Sequence, residues 1–293
     1  MPLETVAGEE AQVDFGYVGR WYDGERWVKI WAFCMVLSYS RKAFYCLVRS
    51  QKVRDFLWCH ILAFEYFGGA CRLTKLDNLK AGVITPDFYE PLIQEQYQQM
   101  LDHYGSSALP CRVRRGQDKG KVESGIKYLK GNFIKGVDHR DLSRLGPELD
   151  RWVEEICNRR VHGTTRKVPG QVFSQVEKST LQPLPAQRFE IYQVEERKVN
   201  MLGHILFRYN YYSVPHTYAG KGVTVRSNGH ILRLYDARKQ ICMHTVCADK
   251  GRYISQEEHR PPYKRKKTRE WYDTQVSGIG PDCDEVYGSS CAA

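Results

Sequence analysis

Gln12-Val13-Asp14-Phe15 is the stretch from which the rest of the chain can be read. It reads as part of a strand, yet it carries a carboxylate mid-strand, where Asp is disfavoured, with Val13 and Phe15 on the opposite face. Working outward, Asp23-Gly24 sits in a turn before an apolar run at 27–37. A second tight turn near 38–41 leads to 43–48, giving three strands joined by hairpins. From 51 to 67 the residues Val53, Phe56, Leu57, His60, Ile61, Phe64 and Phe67 recur at helical spacing, with Ser50 as N-cap and Gly68-Gly69 as the stop. Residues 71–76 form a short strand that runs into Asp77, and Thr85-Pro86 opens a helix to about 103. Residues 108–113 are a further strand, and after the polar loop 114–118 a helix spans about 119–133.

The order βββαβαβα mixes antiparallel hairpins with parallel crossovers. That is the topology of an α/β fold built on an RNase H-like mixed sheet flanked by helices. A further amphipathic helix covers 145–160, and Leu181-Gln182-Pro183-Leu184-Pro185 reads as a linker. Short β-rich runs then follow at 199–202, 205–212, 223–226 and 231–235, with the hairpin signal Asn228-Gly229, and they predict a small all-β, SH3-like barrel. The expected organisation is an RNase H-like core at 1–140, a helical extension and linker at 141–187, a small β-barrel at 188–250, and a basic segment with a disordered tail at 251–293.

Composition narrows the function. The 293 residues carry 44 Lys and Arg against 34 Asp and Glu, a formal charge of +10, which points to a polyanionic partner. The hydrophobic share of 42% is enough for packed cores, so a disordered polymer is excluded. Ten cysteines without a CxxC pair, several of them in apolar stretches, fit reduced buried thiols better than disulfides or a zinc site. The longest apolar run is too short to span a bilayer and the N-terminus has no secretion signal, so a soluble protein with no membrane partner, cytoplasmic and nucleoid-associated, is expected.

Three carboxylates have no evident packing purpose. Asp14 is mid-strand, Asp77 follows the carboxyl end of a strand, and Glu123 lies at the edge of the helical stripe Val122, Ile126, Leu129 and Phe133. Phosphodiester transfer is an in-line displacement, and two Mg²⁺ ions roughly 3.5–4 Å apart can clamp the entering and leaving oxygens. Hard cations take carboxylate oxygens, which three such residues on two strands and a helix supply, with Mn²⁺ able to substitute. The ordinary alternative makes Asp14 an edge-strand residue, Asp77 a turn former and Glu123 half of an i,i+4 pair with Lys127.

The words around these residues favour the metal site. Gly8-Glu9-Glu10-Ala11-Gln12-Val13-Asp14-Phe15-Gly16, Leu76-Asp77-Asn78-Leu79-Lys80-Ala81-Gly82-Val83 and Lys119-Gly120-Lys121-Val122-Glu123-Ser124-Gly125-Ile126-Lys127-Tyr128-Leu129 resemble the three catalytic blocks of the DDE integrase core. More narrowly they resemble transposases of the IstA type from bacterial insertion sequences, and so do Asn158-Arg159-Arg160-Val161-His162-Gly163-Thr164-Thr165 and the stretch 207–215. The resemblance implies that Asp14, Asp77 and Glu123 are the catalytic metal ligands of a DNA transposase. It also implies nicking at the element's 3′ ends, strand transfer into target DNA, a homo-oligomer on DNA and an AAA+ ATPase helper of the IstB type. Family members usually carry N-terminal helix-turn-helix domains that read the element's ends. This chain starts almost at the first block, as a fragment of a longer protein or the product of a truncated element would, so the chemistry is expected of this stretch and autonomous end recognition is not. Two other outcomes are an RNase H-like nuclease that does not join, and a non-catalytic DNA-binding relic.

Arg114, Arg115, Lys119, Lys121, Lys127 and Lys130 are candidates for gripping phosphates beside the metals, or else ordinary solvated charge. Arg159, Arg160 and His162 follow a helix and either contact the DNA backbone or cap that helix. Tyr209, Tyr211 and Tyr212 either stack on bases or, as is more usual in a small barrel, fill its core.

Overall fold

Three antiparallel strands, β1 (Glu10–Tyr22), β2 (Trp27–Leu37) and β3 (Ala43–Val48), open the computed structural model, which describes residues 5–76, 83–85, 92–110 and 120–264. Helix α1 (Val53–Phe67) follows and ends at Gly68, whose φ of 73° supplies the left-handed cap that glycine adopts without strain. Ser50 is not the N-cap: Lys52 holds that position, and the Ser50 hydroxyl hydrogen-bonds the Asp55 carboxylate inside the first turn. Next come the two-residue β4 (Gly69–Ala70), β5 (Leu73–Leu76), and the small hairpin of β6 (Val83–Thr85) and β7 (Leu92–Ile93).

The helix expected from Thr85-Pro86 begins later, as α2 (Glu95–His103). Gln94 caps it by accepting from the Tyr97 N–H at 2.7 Å. Thr85, expected as an N-cap, is instead paired with Leu92 in the β6–β7 hairpin, and residues 86–91 lie outside the described residues. Strand β8 (Ser107–Pro110) completes the sheet, followed by α3 (Gly120–Tyr128), which passes into a wider π-type turn over Leu129–Phe133, and by α4 (Leu142–Trp152).

The main sheet has the order β3-β2-β1-β5-β8. The first three strands are antiparallel, and β5 and β8 run parallel to β1. This is the mixed α/β, RNase H-like arrangement, and the alternation of β1 and β2 explains its layers. Ala11, Val13, Phe33, Met35 and Leu37 face α1 and α2 in one core; Val18, Ala32, Cys34 and Val36 face α3 and α4 in the other. Fully buried rings such as Phe33, Phe56 and Phe64 each contribute about 2–3 kcal/mol over exposure.

The proline-marked stretch read as a linker is partly structured. After the short helix α5 (Pro169–Val172), β9 (Gln182–Pro183) pairs with β4, and Leu181 packs on the α1 side of the core. Compact units cover Met1–Ile191 and Tyr192–Ala293.

The second unit is all β. One sheet orders β10 (Gln193–Lys198), β13 (Gly222–Ser227), β14 (Ile231–Asp236) and β15 (Lys239–Thr245). The other orders β11 (His204–Phe207), β12 (Asn210–Ser213) and β16 (Tyr253–Ile254), and Val199, Phe207, Tyr212, Val225 and Leu234 share one core. The run 205–212, which reads as one strand, folds back on itself at Arg208-Tyr209, both with positive φ (46° and 67°). Without a glycine that turn leaves no sequence signal. Tyr212 is core, Tyr211 stacks on Tyr253 with centroids 4.5 Å apart, and Tyr209 is exposed. Of the expected basic segment and tail at 251–293, residues 265–293 lie outside the described residues.

Candidate functional site

Asp14 sits on the face of β1 that α3 covers, because Gln12, Asp14 and Gly16 share one side of the pleat. At one end of this trio the Val122 N–H donates to Gln12 Oε1 at 3.3 Å. At the other, α3 comes so near Gly16 that a Cβ there would stand 2.5 Å from Ile126 Cγ2. The helix therefore runs beside β1 and flanks Asp14 on both sides, with Glu123 one residue beyond Val122 in its first turn. The partner of Asp14 across the β1–β2 ladder is Cys34, and Gly125 of α3 lies over it: a Cβ on Gly125 would meet Cys34 Sγ at 3.2 Å. Burial pushes the Cys34 thiol well up, and the Asp14 carboxylate adds to the shift. Tyr45 fixes the same turn by donating to the Gly125 carbonyl at 3.0 Å.

Both carboxylates are half-buried. Asp14 Oδ1 accepts from the Phe15 N–H at 2.8 Å, which orients it, and Glu123 stands in the first turn of α3, where the helix dipole favours an anion. Hard, half-buried carboxylate oxygens suit Mg²⁺, which keeps several waters of its own. Asp77, Arg114, Arg115 and Lys119 lie outside the described residues. Leu76, the residue before Asp77 in the chain, pairs with Val13, the residue before Asp14.

At the Glu10 end of this face is a charged group of which the sequence singles out Lys121 but not Glu10. Glu10 Oε1 accepts from Ser38 Oγ at 2.7 Å and from Gln12 Nε2 at 2.9 Å, and Glu10 Oε2 lies 3.4 Å from Lys75 Nζ. Burial alone would raise this carboxyl, but the Ser38 and Gln12 hydrogen bonds and the Lys75 and Lys121 charges outweigh it and hold it below its usual range. Lys121 faces Glu10 at 3.9 Å and donates to Thr5 Oγ1 at 3.3 Å. Burial, ahead of the Arg41 charge, lowers its ammonium to about 8. The one available signal was strand period: Glu10, Gln12 and Asp14 are two residues apart on one face.

The other basic candidates divide. Lys127, Lys130 and Arg159 are exposed. Arg160 stacks 3.6 Å from the centroid of Tyr128 and donates to the Cys157 carbonyl at 2.5 Å, so it caps the end of the helical segment. The His162 Nδ1 accepts from the Thr164 and Thr165 N–H groups at 3.3 and 3.4 Å, and burial lowers its pKa, so the ring is a neutral organiser of that turn.

Residues 184–256 match the family described as Mu transposase, C-terminal domain. A putative transposase of Mycobacterium tuberculosis is 31% identical over 96% of this chain and 69% of its own length. The transposase for insertion sequence element IS21 of Pseudomonas aeruginosa is 30% identical over 89% of this chain and 67% of its own. A transposase for an IS21-like element of Bacteroides fragilis is 32% identical, and there the chain spans about half of the relative, 51%. The HTLV-2 integrase catalytic core domain aligns with 57% of this chain at 13% identity and a TM-score of 0.40. On the two relatives covered over two thirds of their length or more, the chain belongs to the IS21-type transposases of insertion sequences.

Proposed function

We propose that this chain carries the strand-breaking and strand-joining chemistry of an insertion-sequence transposase, with Asp14, Asp77 and Glu123 as its metal-binding carboxylates. The observation that supports it most is the docking of α3 along β1 from Gln12 to Gly16, which sets Glu123 on the face that carries Asp14. Two bound Mg²⁺ ions would supply positive charge to the entering and leaving oxygens of the phosphodiester.

The chain's own residues do the positioning. The paired centre of β1 and the Phe15 N–H hold the Asp14 carboxylate in place. Gly16 and Gly125, with no side chain, let α3 lie close enough to the sheet for Glu123 to share the site. Lys127 and Lys130, exposed on or just beyond the same helix, contact DNA phosphates, and Arg159 extends that surface. In the first step water attacks a phosphodiester at the element's end and the 3′ oxygen leaves with a proton. In the second step that 3′-hydroxyl attacks a target phosphodiester, so one P–O bond forms as one breaks. The all-β unit binds DNA without metal chemistry, and an oligomer on DNA with an AAA+ helper completes the machine.

The test is to incubate the protein with pre-cut element ends, target DNA and Mg²⁺, with and without a helper ATPase of the same element. Joined products support the reading; cleavage without joining in both arms sinks the strand-transfer half of it.

A further inference from the structure

Away from the carboxylates, the all-β unit collects a different set of donors. Cys242 and His244 are two residues apart on β15, which puts both side chains on one face of the strand. His259 comes to them from the turn Glu257–His259, 15 residues further along the chain. One ligand atom from each, a thiol sulfur and two ring nitrogens, all lie within 4.8 Å of one another, and both imidazoles are buried. Among the described residues no other trio of His, Cys, Asp and Glu is so arranged.

Chemistry selects the ion. Zinc-class ions bind sulfur at about 2.3 Å and imidazole nitrogen at about 2.0–2.1 Å, so tetrahedral ligands stand roughly 3.3–3.7 Å apart. Cys242 Sγ lies 3.9 Å from His244 Nε2, and the trio needs only a small contraction to close on an ion. One thiol and two imidazoles suit a borderline-soft divalent metal and not Mg²⁺, which takes oxygen.

Ser213 now lies among them. Its carbonyl accepts from His244 Nε2 at 2.7 Å, and its hydroxyl is 2.7 Å from His259 Nδ1. Because His244 Nε2 donates to a carbonyl, an ion at that nitrogen requires the proton to move to Nδ1.

We propose that Cys242, His244 and His259 form a binding site for one zinc-class transition-metal ion, with water or the Ser213 hydroxyl at the fourth position. The ion clips the turn at Glu257–His259 to β15, closing the loop between them. The site is independent of the proposed DNA chemistry, so either can fail alone. The competing outcome is a hydrogen-bonded knot around Ser213 that binds no metal.

The experiment uses the full chain, stripped with a chelator and titrated with Co²⁺. A band that saturates at one equivalent of thiolate-bound Co²⁺ is expected, an intense near-ultraviolet thiolate-to-cobalt transition that Co²⁺ on the carboxylates cannot produce. Cys242→Ser should abolish the band and weaken binding by more than about 100-fold, the upper end of what losing an outer-shell partner costs. Cys247→Ser, which changes a thiol outside the trio five residues further along the chain, should retain it. Absence of the band in the unaltered chain overturns the proposal, whether or not the variants fold, and so does a band that survives Cys242→Ser.

Discussion

Gly16 on β1 and Ile126 on α3 stand so close that a single methyl group at Gly16 would come within 2.5 Å of Ile126 Cγ2. The contact is an approach limit: it sets how deeply α3 seats on the sheet, and so where Glu123 lies relative to Asp14.

Gly16→Ala should therefore cost about 1–3 kcal/mol of stability, the usual price of overpacking. It should also lower strand transfer by more than the stability loss explains. Shortening the opposing side chain with Ile126→Val leaves Cγ2 in place, whereas Ile126→Ala removes it. Only the Ala partner should restore activity to Gly16→Ala, measured by denaturant titration and a joining assay side by side. Equal rescue by both would show that Gly16 does not set the seat.

Removing the proposed metal ligands one at a time gives a different pattern. Asp14→Asn, Asp77→Asn and Glu123→Gln should each abolish Mg²⁺-dependent nicking and joining while circular dichroism and DNA affinity stay near those of the unaltered chain. Full activity in any one of the three removes that residue from the site.

Arg159 and Arg160 are neighbours with opposite expectations. Arg160→Ala loses the Cys157 carbonyl cap and the stack on Tyr128, so stability should fall by about 1–2 kcal/mol. The salt dependence of its DNA binding should be unchanged. Arg159→Ala should leave stability alone and reduce the salt slope by about one, as expected for one lost phosphate contact. Binding measured from low to moderate salt decides between them.

His60 predicts an acid limit. It is fully buried, with Nδ1 2.8 Å from the Phe56 carbonyl and Nε2 3.2 Å from the Tyr97 hydroxyl, and burial lowers its pKa to about 4. The carbonyl can only accept, so Nδ1 carries the proton and Nε2 accepts from Tyr97. Between the ordinary histidine value near 6.5 and about 4, the unfolded chain binds a proton that the folded chain refuses. Stability should fall with pH across that window, by an amount of order 3 kcal/mol at roughly 1.4 kcal/mol per pH unit. His60→Leu should start less stable at pH 7 and fall less steeply. Parallel urea titrations at pH 7, 5.5 and 4.5 measure the difference, and identical slopes would rule His60 out as the cause.

The faces of β1 around Asp14 were legible in the residues themselves. A strand alternates with period two, so once Val13 and Phe15 are core, Asp14 must face the other way, and it does. The helical stripe of Val122, Ile126 and Leu129 was legible for the same local reason, and placed Glu123 at its edge. Family words then connected two segments whose mutual approach no local pattern encodes.

What the sequence by itself determined is which residues share a side of each element and which kinds of chemistry they can perform. Only the tertiary structure decided which sides meet. Glu10 finds Lys75 and Lys121 through the parallel register of β1 with β5 and the seating of α3. His259 reaches Cys242 and His244 because a turn folds back on β15. Even the helix start expected at Thr85-Pro86 gave way to a hairpin that claimed Thr85. The physical reason is common to all three: propensity and periodicity act over a few residues, whereas ladder register and close packing act between residues far apart in the chain.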